Sequence, residues 1–142
     1  MSAVTARFFN VYGLRQPTEG KFATVLGIFE RQYKNNEPLT VIGDGEQRRD
    51  FTHVNDIVKG LIELSKGEYK GEIYNLGTGR NYSINQLVEF FGCKSISLPE
   101  RPGEARISIA DISKTKQNLD WEPTHSLRQY IKNFKKISKH EE

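Results

Sequence analysis

Gly43-Asp44-Gly45-Glu46-Gln47-Arg48-Arg49-Asp50-Phe51-Thr52-His53-Val54-Asn55-Asp56 combines a glycine turn, two adjacent arginines, an extended alternation and a helix start. Just before it, Leu39-Thr40-Val41-Ile42 is a short, partly β-branched apolar run that predicts a strand, and Gly43 and Gly45 permit the positive-φ turn that ends it. A second extended stretch over 48–53 makes the pair a predicted β-hairpin. Strand side chains alternate, so Arg49, Phe51 and His53 share one face and Arg48, Asp50 and Thr52 the other; only one arginine can enter a cleft. An arginine beside turn amides suits a phosphate, because its planar fork donates two hydrogen bonds and stays charged at physiological pH. The residues alone leave a second reading open, in which both arginines are solvated or paired with Asp44, Glu46 and Asp50.

Around this stretch, 142 residues with 36% hydrophobic content suffice for one domain with a modest core, and not for two. The net charge of +3 comes from interspersed charges, which argues against a nucleic-acid partner. The single cysteine, Cys93, excludes an internal disulfide, and His53, His125 and His140 share no metal-ligand spacing, so no metal is expected. No charged, apolar leader and no apolar run of membrane-spanning length occur. The expectation is a cytoplasmic protein without a membrane partner.

Upstream, residues 3–9 predict a strand ending at Asn10, with an open edge that invites a partner or self-association. Asn10 by itself reads as a turn asparagine able to take a left-handed conformation. Phe22, Val25, Leu26 and Phe29 have the spacing of a helix over 21–35. Downstream, Asn55 or Asp56 is placed to cap a helix that turns Ile57, Gly60, Leu61 and Leu64 inward and ends near Gly67. A strand over 72–76 runs into Gly77-Thr78-Gly79, read as a turn because it is one glycine short of a dinucleotide fingerprint. Ser83 and Gln86 have capping-box spacing, and a strand follows over 94–98. Arg101 sits between Pro99 and Pro102, where a restricted backbone lowers the cost of holding a long side chain against a ligand. Asp111 can cap a helix beginning near Ile112 and ending at Trp121 to Pro123. Ser126 can cap a last one, with Leu127, Tyr130, Ile131, Phe134 and Ile137 inward and its basic residues mostly solvated.

Taken together these motifs resemble the extended short-chain dehydrogenase/reductase enzymes that act on nucleotide-diphosphate sugars, UDP-hexose 4-epimerases above all. The family pattern Gly-Asp-Gly-x-Gln-x-Arg-Asp-Phe is matched by Gly43 to Phe51. Arg7 to Gln16 follow a second family segment with Leu14 in place of a proline, and Arg101 to Glu104, Asp111, Lys114, Leu119 and Trp121 follow a third, with Asp120 replacing a glycine. The resemblance implies an α/β substrate-binding lobe of short strands and packed helices spanning 1–142, with 1–16 a remnant of the Rossmann-sheet edge. It implies that Arg49 clamps the diphosphate of a UDP-sugar, and that Thr40 and Ile42 line the base with their backbone. Asn10 would then bond the substrate, Arg101 the phosphates or ribose, and Asp111 the ribose hydroxyls, with Thr24 and Val25 near the sugar. Phe8 would lie near the nicotinamide of NAD. Neither the Gly-x-x-Gly-x-x-Gly turn that holds NAD nor the Tyr-x-x-x-Lys pair of the family's chemistry occurs in this sequence. The expectation is therefore a binding domain that holds no cofactor and performs no turnover alone, either truncated or half of a split enzyme completed by a Rossmann-domain half. Related decarboxylases or 4,6-dehydratases share these motifs, and a noncatalytic sugar-nucleotide sensor or interaction module is the alternative from another class.

Overall fold

A computed structural model describes residues 3–139; His140 and the remaining chain ends lie outside them. In chain order the elements are β1 (Thr5–Phe8), β2 (Val11–Tyr12), α1 (Val25–Lys34), β3 (Leu39–Ile42), β4 (Arg48–Arg49), β5 (Thr52–His53) and α2 (Val54–Lys66). These are followed by β6 (Ile73–Leu76), β7 (Tyr82–Ser83), α3 (Ile84–Phe91), β8 (Ser95–Leu98), α4 (Ser113–Asn118) and α5 (Leu127–Ser138). The strands associate in pairs: β1 with β6, β2 with β5 and β3 with β8 are parallel, and β4 with β7 is antiparallel. The result is the expected α/β arrangement of short strands and packed helices.

Apolar residues gather in two clusters. The first joins Leu26 and Phe29 of α1, Leu39 and Val41 of β3, Ile84, Leu87 and Phe91 of α3, and Leu127 and Ile131 of α5. The second joins Ile57 and Leu64 of α2, Tyr74 and Leu76 of β6, and Leu119 and Trp121 after α4. Thr24, Ser83 and Ser126 cap α1, α3 and α5, each side-chain oxygen accepting from a first-turn amide, and Ser83 with Gln86 closes the expected capping box. Each such cap stabilises its helix by about 1 kcal/mol.

The hairpin does not form. β3 pairs with β8, and the backbone of the 43–47 turn is taken up by α3 instead: the Gly45 carbonyl accepts from Asn85 N (3.0 Å) and the Gln47 carbonyl from Ile84 N (3.3 Å). Gly45 has φ 73°, and a Cβ there would lie 2.1 Å from Asn85 Oδ1, so this close approach requires glycine. The chain leaves that turn pointing at β7 rather than back along β3. Helix boundaries also differ. α1 begins four residues later than expected, leaving Phe22 exposed before it, and α4 stops at Asn118, so that Trp121 packs from the segment beyond. α2 is capped by His53, whose Nδ1 accepts from Asn55 N at 3.2 Å. Asp56 lies inside the first turn, where its buried carboxylate accepts from Thr124 N (3.1 Å), Thr124 Oγ1 (3.1 Å) and His125 N (3.0 Å) and pairs with His125 Nδ1 (2.8 Å). Leu61 and Ile137, expected inward, are exposed. No helix among the described residues is long and apolar enough to cross a membrane.

Candidate functional site

The β3 strand supplies one wall. Its ladder to β8 uses the amides of Leu39, to Lys94 O at 2.9 Å, and of Gly43, to Leu98 O at 2.8 Å. In a parallel ladder alternate residues bond the same neighbour, so the backbone groups of Thr40 and Ile42 point to the opposite edge. Two of those four groups are engaged. Gln32 of α1 accepts from Thr40 N (3.2 Å) while donating to Thr40 Oγ1 (3.0 Å), and Gln47 Nε2 donates to the Ile42 carbonyl (2.9 Å). The carbonyl of Thr40 and the amide of Ile42 are what this edge offers a ligand.

Against that edge lies a cavity of about 290 Å³. Seven of the residues singled out from the sequence line it: Asn10, Thr24, Val25, Thr40, Ile42, Arg49 and Arg101. Thr24 and Val25 belong to the amino end of α1, whose partial positive charge adds to that of the two arginines. Asn10 is not left-handed; its Nδ2 donates to the Asp50 carbonyl at 3.2 Å. Arg49 and Arg48 diverge, as strand alternation requires. Arg49 is the one at the cavity, its side chain 13% exposed, with Nη1 donating to the Arg48 carbonyl and Nη2 to Glu104 Oε1, both at 2.9 Å. Arg48 turns away to Asn81 Oδ1 (2.9 Å) and Gln86 Oε1 (3.1 Å). The alternative reading, pairing of these arginines with Asp44, Glu46 or Asp50, is not found among the described residues. Asp44 instead takes a two-pronged bond from Arg106 (2.8 and 2.6 Å), which lowers its carboxyl pKa to about 2.

Arg101 reaches the cavity from the 99–104 loop, and a second cavity of about 310 Å³ shares Ile42, Gln47, Arg101 and Glu104 with the first. An anionic ligand with two charged centres can thus bridge from Arg49 to Arg101 along one continuous surface.

Two expected residues lie elsewhere. Asp111 does not line the cavity; its carboxylate accepts from Ser113 N at 2.9 Å, a bond that lowers its pKa, and so serves the start of α4. Phe8 ends β1 and is half-exposed beside the open edge of that strand. Conversely, Glu104, Gln47 and Tyr12 line the cavity without having been singled out. Glu104 was detectable as the only acid on the Arg101 loop's carboxy-terminal side, three residues away. Tyr12, buried and raised in pKa chiefly by that burial, carried no local signal because its position depends on the long-range pairing of β2 with β5. Among the described residues no cluster of His, Cys, Asp and Glu is built to hold a metal.

Comparison with known proteins finds relatives in sequence and in fold. An uncharacterized UDP-glucose epimerase of Bacillus subtilis, YtcB, is 36% identical over 92% of this chain and 42% of its own length. A UDP-glucose 4-epimerase of Thermotoga maritima, solved with UDP-glucose, superposes with a TM-score of 0.88 at 35% identity, over 100% of this chain and 48% of that one. A UDP-glucuronic acid 4-epimerase of Bacillus cereus, solved with UDP-glucuronic acid and NAD, gives 0.85 at 30% identity over 98% and 46%. The chain spans less than half the length of each of these relatives. The family model for GDP-mannose 4,6 dehydratase matches residues 1–134, and the chain belongs to that epimerase/dehydratase family.

Proposed function

We propose that this chain is the nucleotide-sugar-binding part of a UDP-hexose 4-epimerase, and that it grips UDP while the reacting sugar is presented to a separate NAD-binding half. The observation that carries this reading is the meeting of Arg49, Arg101 and the free edge of β3 in one cavity, although they are far apart in sequence. A guanidinium pair matches a diphosphate. The Thr40 carbonyl and Ile42 amide complement the imide edge of uracil, which offers an N–H beside a ring carbonyl. Glu104, rather than Asp111, is the carboxylate placed to accept from ribose hydroxyls, since it lines the cavity. Asn10, Thr24 and Val25 form the wall toward the sugar.

The chemistry of such a reaction, removal of the 4-hydroxyl proton with transfer of the C4 hydride to NAD and its return to the opposite face, requires groups that this sequence lacks. The contribution of this chain is binding energy from the nonreacting nucleotide, which orients the sugar. The half carrying the cofactor would cover β1 and the outer face of α2, where Phe8, Val58 and Ile62 are half-exposed. Phe8 then lies at the junction with NAD. A cytoplasmic setting, where Cys93 stays a thiol, belongs to the same reading.

Calorimetric titration tests it. Saturable binding of UDP, little of NAD, and turnover of UDP-glucose only after addition of a polypeptide bearing the glycine-rich half are the expected results. Absence of UDP binding, together with self-association through β1, would make the chain an interaction module instead.

A further inference from the structure

Asp50 is fully buried, and no cation accompanies it among its bonded partners. Its Oδ1 accepts from Thr78 N (2.9 Å), Thr78 Oγ1 (2.6 Å) and Thr52 Oγ1 (3.4 Å), and its Oδ2 from Gly79 N (3.0 Å) and Ala110 N (3.1 Å). The consecutive amides of Thr78 and Gly79 form a concavity suited to an anion, and the chain's own carboxylate fills it. Gly77 makes room: a Cβ there would stand 2.3 Å from Ala110 Cβ and 3.1 Å from Asp50 Oδ2.

The location of this anchor matters. Asp50 is flanked by two cavity residues, Arg49 and Phe51, and its carbonyl accepts from a third, Asn10. We infer that Asp50 is a positioning residue for the phosphate- and sugar-facing side of the cavity: by locking its own backbone to the 77–79 turn and to Ala110, it fixes where Arg49 and Asn10 stand. The base-facing side does not depend on it. Thr40 and Ile42 belong to β3, which is held by β8, Gln32 and Gln47. The inference rests on the proposed UDP site and assigns its two ends to two separate supports.

Asp50→Asn keeps the shape of the side chain but replaces one acceptor oxygen with a donor that faces backbone amides. Titration with UDP and with uridine reads the two ends separately. Asp50→Asn is expected to weaken UDP by about tenfold or more while uridine changes less than about twofold, and to weaken UDP no further in an Arg49→Ala background. Equal losses for UDP and uridine, or full additivity with Arg49→Ala, would overturn the inference. Should Asp50→Asn fail to fold, Thr78→Val removes one donor, and about a threefold loss confined to UDP is expected; an equal loss on uridine overturns the idea. If the wild-type chain binds no UDP, the functional reading falls while the positioning role is still decided by the Arg49 Nε–H resonance. That signal should shift and broaden in Asp50→Asn or, failing that, Thr78→Val, with signals from Leu87 and Ile131 unmoved; an unchanged Arg49 signal refutes the role.

Discussion

The cavity side and the β1–β6 side of the molecule handle their apolar residues differently. On the cavity side, α1, α3 and α5 close over β3, and Leu26, Phe29, Leu39, Leu87 and Ile131 are sealed from solvent. On the β1–β6 side, α2 buries Ile57 and Leu64 on one face and leaves Val58, Leu61 and Ile62 uncovered on another, and Phe8 of β1 and Ile73 of β6 are exposed as well. A helix apolar on two faces fits a layer with a neighbour on each side. Under the proposed function the contrast separates two tasks: the side assigned to the ligand holds its own shape, whereas the β1–β6 side is the one a cofactor-bearing half would cover.

Core truncation separates the two sides most strongly. Phe29→Ala on the cavity side should cost about 3–5 kcal/mol in chemical denaturation, since Phe29 is fully buried and its loss leaves a cavity. A loss no greater than that of a surface substitution would mean that this core is not the stable part. Next, Arg49→Ala should weaken UDP by about 1.5–3 kcal/mol, the range for charge-assisted hydrogen bonds, with the denaturation midpoint little changed. An unaltered affinity would remove Arg49 from the site.

The junction between the two sides carries a pH dependence. His53, stacked on His125 at 4.2 Å between ring centroids, faces Tyr12 from β2, Tyr130 from α5 and Asp56 from α2. Desolvation, with His125 adding to it and Asp56 opposing, lowers its pKa below the ordinary value near 6.5. The folded chain therefore binds fewer protons at His53 than the unfolded chain. The stability that neutral His53 contributes is complete above about pH 6.5 and is lost as pH falls through its folded value. Glu30, raised by burial above the usual glutamate range, acts in the opposite sense. Comparing His53→Asn, which retains an N-cap, with the wild type isolates the histidine. The variant should lose less stability between pH 7 and pH 5, and parallel curves would show that His53 does not titrate in folding.

The smallest effect on stability belongs to the uncovered face. Val58→Ser and Ile62→Ser should each change stability by no more than about 0.5 kcal/mol yet abolish activation by a complementing half. Undiminished activation would move the docking surface elsewhere.

Much of the cavity was legible in the sequence because its residues sit in short motifs with local mechanisms. Alternation sent Arg49 and Arg48 opposite ways, and Pro99 and Pro102 framed Arg101. What local reasoning missed depends on contacts between distant segments. The expected hairpin gave way because α3 captured the turn's carbonyls, and β8 lies more than fifty residues after β3. The role of Asp50 was hidden for the same reason: its donors come from residues 78, 79 and 110, and an acid next to two arginines reads as an ion pair until the fold shows otherwise.

The central claim, that one cavity between β3, α1 and the 99–104 loop holds UDP, is tested most directly by following backbone amide resonances during titration with UDP. The account predicts shifts concentrated at Asn10, Thr24, Thr40, Ile42, Arg49 and Arg101, with the outer face of α2 and the basic face of α5 silent. Shifts centred on Lys132 and Lys136 of α5, with the cavity residues unmoved, would contradict it.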